Sequence, residues 1–234
     1  IKGIDYLTLA GKKQYFEAKK YLNQYVDKLV FTPFGTEKIE IHKNIEKIKS
    51  EFSLPKNKKI YTFIGPLEKR KGFFTLIRAV NKIKNPNFFL LIVTYGKGGV
   101  DANFKKHLNW FKKNMLNKNY KMLIGRQDIN KIFSVTDIFL FPSVNLDGTL
   151  AQPLTLLEAI SAKRQIIASD IDENREILND FGGHITFANK NINSFKNAIN
   201  QTLKGNIERF SGNIDKITLQ NNVNILLNLY KKLI

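Results

Sequence analysis

Short apolar runs of β type alternate with longer stretches of helical period through most of this chain. That is the pattern of an α/β fold, an open parallel sheet with helices on both faces. Two further observations agree. Ile60-Tyr-Thr-Phe-Ile-Gly65 and Phe88-Phe-Leu-Leu-Ile-Val93 have the length and apolar character of buried strands. Gly or Pro also follows closely on several such runs, at Gly65, Gly96, Gly125 and Pro142, where a chain leaving a sheet must turn.

Ahead of the regular alternation, Asp5-Tyr-Leu-Thr-Leu-Ala10, a Lys-rich helix and Lys28-Leu-Val-Phe-Thr-Pro33 make a β-α-β unit over residues 1–35. Residues 36–58 are charged and read as a connector. The strand ending at Gly65 leads through a charged loop to a helix over Gly72–Lys84. Strand Phe88–Thr94 ends in the turn Gly96-Lys-Gly-Gly99, and a Lys-rich amphipathic helix at about 102–116 leads to strand Tyr120–Ile124. After Gly125-Arg126 come a short helix near Asp128–Val135, strand Ile138–Phe141 and the breaker Pro142-Ser143. The loop Val144–Gln152 precedes a helix opening at Pro153. Strand Gln165–Ala168, a turn rich in Asp and Glu, strand His184–Phe187 and a helix at about 192–204 complete the alternation. A last helix, about 216–232, has apolar positions at Ile217, Leu219, Val223, Leu226, Leu227, Leu229 and Tyr230.

A chain of 234 residues, 43% hydrophobic, fits one large domain, or one domain plus a piece of another. It has no cysteine, which excludes disulfides and thiolate metal sites and fits a reducing, cytoplasmic setting. His42, His107 and His184 lack metal-ligand spacing, so no metal or other cofactor is expected. No apolar run approaches the roughly 18 residues that span a bilayer. The chain opens on Ile1 rather than Met and shows no signal peptide, so residue 1 is not expected to be the native start. The net charge of +18 fits a solvated, Lys-rich surface. It equally fits attraction to nucleic acid, to a phosphate-bearing substrate, or to anionic lipid at the inner face of a membrane. Charge alone does not choose, but no nucleic-acid recognition motif is present, so no specific nucleic-acid partner is expected.

Two places carry chemistry. Pro153 suits the first position of a helix, which would leave the N–H groups of Leu154, Thr155 and Leu156 as free donors at a positive dipole end, fit for a diphosphate. Glu158 lies just past that turn, within reach of a ribose beside the phosphates. Its bland alternative is an exposed helix carboxylate. Lys71, with Arg70 before it, ends a loop at the carboxyl edge of the sheet, where open α/β folds bind ligands. A cation there can neutralise a leaving diphosphate; the bland reading is one more surface lysine.

Ile64-Gly-Pro-Leu-Glu-Lys-Arg-Lys-Gly72, running on to Ala79, is one of two telling stretches. The other is Asp137–Ser143 with Gln152-Pro-Leu-Thr-Leu-Leu-Glu-Ala-Ile-Ser161, Ile166–Asp170 and Glu176-Ile177. Together they resemble the C-terminal, Rossmann-like half of the group 1 (family 4) retaining glycosyltransferases of GT-B fold. Asp5 with Thr32-Pro-Phe-Gly-Thr36 resembles that family's approach to its hinge, and Leu229–Leu233 its final helix. The resemblance implies a UDP- or GDP-linked sugar as donor and a hexosyl group transferred to a sugar or lipid-linked acceptor. Glu158 would hold the ribose and Lys71 the leaving diphosphate. Gly65, Arg70, Leu154 and Thr155 would line the donor site, and the chain around Arg126 would read the base. It implies residues 59–234 as the donor-binding domain and residues 1–35 as the end of an N-terminal domain that chooses the acceptor.

Three positions depart from the family. Leu150 stands where an acidic residue is usual, eight positions before the ribose-binding Glu. Pro66 replaces an Arg, and Lys163 replaces a Gly. Asp147 could supply the missing carboxylate, and Lys69 or Arg70 the missing cation. The departures keep a second reading in play, a non-catalytic homologue that binds nucleotide or a protein partner.

Overall fold

In the computed structural model, which describes residues 2–95, 103–125, 127–145 and 152–233, six strands form one parallel sheet. They are β3 (Lys59–Ile64), β4 (Phe88–Thr94), β5 (Tyr120–Ile124), β6 (Ile138–Phe141), β7 (Gln165–Asp170) and β8 (His184–Ala188), in the spatial order β5-β4-β3-β6-β7-β8. The chain lays strands outward from β3 in one direction, then returns to start again at β6. The carboxyl ends of β3 and β6 therefore flank the switch point at which such sheets bind ligands.

The period of two divides each strand between two cores. Ile60, Ile64, Leu91, Val93, Phe139 and Phe141 point into one cluster, with α5 (Ile129–Val135), α6 (Leu154–Ser161) and α7 (Asp172–Leu178). Tyr61, Phe63, Leu90, Ile92, Ile138 and Leu140 point into the other, under α3 (Phe73–Val80), α4 (Phe104–Asn114) and α8 (Ile192–Leu203). The open sheet with helices on both faces is as the sequence implies.

Two helices lie where the sequence suggested none. Within the connector, α2 (Ile45–Glu51) is capped by the Asn44 side chain on the Lys47 N–H. Ile39, Ile48, Phe52 and Leu54 of this segment are buried in the core. The acidic stretch after β7 is a helix, α7, with Asp172 and Glu173 in its first turn, where they complement the positive end of the helix dipole.

Residues 7–31 form a small parallel unit of β1 (Leu7–Leu9), a helix α1 (Lys12–Tyr21) and β2 (Leu29–Phe31). Gly11 offers α1 no side-chain cap. Glu176 of α7 does so from across the molecule, its two carboxylate oxygens accepting the backbone N–H groups of Lys12 and Lys13, the latter at 3.0 Å. Exposed pairs Lys12–Asp180 and Lys13–Asp172 flank this clamp. Replacing Glu176 with Ala should cost the unit about 1–2 kcal/mol, the worth of a good cap. Hydrogen exchange over residues 7–31 should quicken while the six-stranded sheet is unaffected; equal loosening of both would refute a local clamp.

The last helix, α9 (Leu219–Tyr230), begins later than the sequence suggested, after a short 3-10 turn and the cap Thr218. It returns to the β-α-β unit: Thr36 bridges to Thr218, and Asn222 Nδ2 donates to the Pro33 carbonyl at 2.6 Å. A Cβ on Gly35 would lie 2.4 Å from the Thr218 carbonyl oxygen, so only glycine allows this crossing.

Candidate functional site

Helix α6 is fixed before it presents anything. Gln152 Oε1 accepts the Phe34 N–H at 2.7 Å, and Ser161 Oγ accepts the Ile39 N–H at 3.0 Å, tying both ends of α6 to the segment leaving the β-α-β unit. Pro153 is the N-cap, with extended backbone, and not the first helical residue the sequence suggested. The shift by one changes the donors. The Leu156 N–H closes onto the Pro153 carbonyl at 3.0 Å, leaving Leu154 and Thr155 without a backbone acceptor among the described residues.

Those two residues and Glu158 line a cleft of about 460 Å³ with Ile64, Val93, Tyr95, Gly125, Gln127, Ile129 and Ile132. These come from the carboxyl ends of β3, β4 and β5 and from α5 and α6. Glu158 is half-buried, and burial alone pushes its carboxyl up to about 7. No hydrogen bond or ion pair relieves it among the described residues. A carboxyl held this way is open to donors entering the cleft, and Leu154, exposed at the helix start, leaves an apolar wall beside it.

The loop between β3 and α3 forms the other part. Gly65 continues the ladder, its N–H donating to the Val93 carbonyl at 3.0 Å. Arg70 is half-buried; its Nε pairs with Glu68 at 2.6 Å, while its Nη1 is buried with no hydrogen-bond partner among the described residues. Burial lowers the Lys71 ammonium, the Arg70 charge lowers it further, and Glu68 opposes both. Two cations thus lie near one carboxylate, which pairs with Arg70 and not with Lys71, an arrangement that an added anion would relieve.

This loop is stitched to the end of β6 rather than to the cleft wall. The Val144 N–H donates to the Arg70 carbonyl at 2.7 Å. Gly72, at φ +71°, lies so close that a Cβ would meet the Pro142 carbonyl oxygen at 1.7 Å. Gly72→Ala should therefore cost about 2–4 kcal/mol, from strained backbone and forced separation of the loop from β6. A thermal melt indistinguishable from wild type would contradict this close approach.

Of the residues singled out in the sequence, Leu154, Thr155 and Glu158 share the cleft. Gly65, Arg70 and Lys71 lie in the neighbouring loop at the same sheet edge. Arg126, Asp147 and Leu150 fall outside the described residues. Tyr95, Ile129 and Ile132 join the cleft without having been singled out. Tyr95, just past the end of β4 and half exposed, is the one whose position at a strand's carboxyl end could have given notice. A second cleft, about 490 Å³, lies between the β-α-β unit and the main sheet. Its carboxylates already serve the protein: Glu176 caps α1 and Asp180 pairs with Lys12. It is a seam between parts and holds no comparable unmet need.

The sequence model of the family described as "Glycosyl transferases group 1" matches residues 44–231. The chain belongs to the group 1 glycosyltransferases. Alpha-galactosylglucosyldiacylglycerol synthase of Streptococcus pneumoniae (strain ATCC BAA-255 / R6) is 23% identical over 175 residues, covering 75% of this chain and 43% of that protein. Sucrose-phosphate synthase from Thermosynechococcus elongatus shares the fold with a TM-score of 0.76 at 18% identity, over 99% of this chain and 59% of that one. Anabaena Alr3699/HepE in complex with UDP and glucose gives 0.73 at 14% identity, over 98% and 62%. The chain thus has the GT-B type of α/β fold, and it spans less than two thirds of the length of each of these three proteins. Among the described residues no helix is long and apolar enough to cross a membrane.

Proposed function

We propose that the cleft at the carboxyl edge of β3–β5 holds a nucleoside-diphosphate sugar, and that the chain is the donor-binding half of a retaining hexosyltransferase. One observation carries this reading. Glu158 is a desolvated carboxyl with no partner among the described residues, one turn beyond two helix-end N–H groups that open into the same cleft. Ribose hydroxyls supply the donors that the carboxylate lacks, and the diphosphate takes the Leu154 and Thr155 amides. The base lies against Gly125 and Gln127, which line the same cleft. Relatives and neighbours add support: Anabaena Alr3699/HepE holds UDP and glucose.

Lys71 and Arg70 take the role that a divalent cation would otherwise fill, neutralising the departing nucleoside diphosphate. The bond from the sugar's anomeric carbon to the phosphate oxygen breaks, and its electron pair leaves with the diphosphate. The acceptor hydroxyl oxygen bonds to the anomeric carbon from the same face, and its proton passes to the departing phosphate oxygen. Pro66, where the family carries an Arg, removes one cation from this loop and favours the second reading, nucleotide binding without transfer. A thermal-shift panel of UDP-, GDP-, ADP- and CMP-sugars tests the binding claim, since a ligand of the native state raises the melting temperature. Selective stabilisation by a UDP- or GDP-sugar, lost in Glu158→Gln, is expected. No response to any of the four would overturn the proposal. Turnover by a protein that includes an acceptor domain separates transfer from binding alone.

A further inference from the structure

The two helical layers of the sheet differ sharply in charge. The described residues of 72–125 and 181–207, which include α3, α4 and α8, hold twelve Lys and Arg and no Asp or Glu. The opposite layer carries Glu46 and Glu51 on α2, and Asp172, Glu173 and Glu176 on α7. A composition merely rich in lysine would raise the basic count on both faces and would not leave the described residues of one without a carboxylate. The ion pairs among the described residues avoid the basic layer altogether.

Helix α4 is the centre of this surface. Lys105, Lys106, Lys112 and Lys113 are exposed along its outer side, while Phe111 is buried and Phe104, Leu108 and Trp110 pack inward. The layer is continuous. Arg78 of α3 sits over the Trp110 ring at 6.0 Å, and Lys82 donates to Asn193 Oδ1 of α8 at 2.9 Å. Just past the last turn of α4, Leu116 is 69% exposed, between Lys113 and Lys118. An apolar residue set among lysines is how a protein combines attraction to lipid phosphates with shallow insertion. The face is also clear of the rest of the machinery: the β-α-β unit touches α7 on the other layer, and the donor cleft lies on the α5–α6 side.

We infer that the α3–α4–α8 layer is a docking surface for an anionic lipid bilayer, with the α4 lysines as its electrostatic contact and Leu116 as its apolar one. The inference is independent of the donor reading, because no residue of this surface lines the cleft. Co-sedimentation of the full chain with phosphatidylcholine vesicles, with and without phosphatidylglycerol, tests it. Binding is expected only to the anionic vesicles and is expected to fall with salt. Combined Lys105→Gln, Lys106→Gln, Lys112→Gln and Lys113→Gln should weaken it about a thousandfold. Four exposed lysines elsewhere, Lys38, Lys43, Lys47 and Lys56, each changed to Gln, remove the same charge and should change it little. Equal losses in the two variants would overturn the inference, because net charge and not this face would then be responsible. Leu116→Ser should weaken vesicle binding while leaving binding to arbitrary duplex DNA unchanged. DNA that displaces the vesicles, with no effect of Leu116→Ser, would identify a general polyanion surface and overturn the lipid assignment.

Discussion

Glu158→Gln is expected to lose most sugar-nucleotide binding, about a hundredfold, and to leave the empty protein more stable at pH 8. Both effects come from one desolvated carboxyl. In the folded chain it titrates at about 7, against an ordinary 4.5. A folded value above the ordinary one means that folding disfavours the anion. The penalty is absent below pH 4.5, builds between 4.5 and about 7, and is fully present above that. Gln carries no charge and escapes it. Each pKa unit corresponds to about 1.36 kcal/mol. Contact of the half-buried carboxyl with water cuts the total, so a gain of about 1 kcal/mol is expected at pH 8. For a domain of this size that is a rise of roughly 2–4 °C in Tm, shrinking toward nothing at pH 4.5. The same reasoning fixes the pH dependence of the wild type. If the ribose needs the carboxylate, the Glu158 carboxyl gives up its proton on donor binding, so donor affinity should rise with pH up to about 7 and level off above. Calorimetry at several pH values and thermal melts of both proteins check this; a Gln variant that keeps wild-type affinity would contradict the ribose role.

Lys71→Ala is expected to lower turnover by about 100- to 1000-fold in a protein carrying its acceptor domain, the usual cost of removing a group that meets charge developing in a transition state. Binding of the intact donor should weaken far less, because in the proposed site the Leu154 and Thr155 amides and Glu158 would still hold it. The ammonium is partly desolvated and sits beside Arg70 with no hydrogen bond or ion pair of its own among the described residues. It is therefore poised for an anion that grows during the reaction. Steady-state kinetics give the decision: a fall in kcat with little change in KM supports the role. A change in KM alone would make Lys71 a binding group, and no change would remove it from the site.

The strands were readable because each is a short apolar run closed by a turn residue, and all six of the main sheet lie within two residues of where the pattern puts them. Glu158 was readable because it sits at a fixed offset in a helix whose start is marked by Pro153. Much of the rest depends on partners distant in sequence. The stretch Asp172–Leu178 resembles a turn because its acids crowd the first residues and its buried apolar groups, Ile177 and Leu178, come only at the end. Helix α2 is short, and its Ile48 is anchored by a core that the local pattern does not show. Pro153 fits a cap and a first helical residue equally well in sequence, and the difference decides whether Leu156 offers its N–H. The need for glycine at 72 arises from Pro142, seventy residues away. The clamp of Glu176 on α1 joins residues more than 160 positions apart.

The most direct measurement is a crystal structure of the chain with whichever UDP- or GDP-sugar stabilises it most. The ribose hydroxyls are expected within hydrogen-bonding distance of the Glu158 carboxylate, the diphosphate at the Leu154 and Thr155 amides, and Lys71 turned toward its oxygens. A nucleotide seated instead in the seam beside Phe31 and Glu176, or one in the cleft that leaves Glu158 without a partner, would contradict the account.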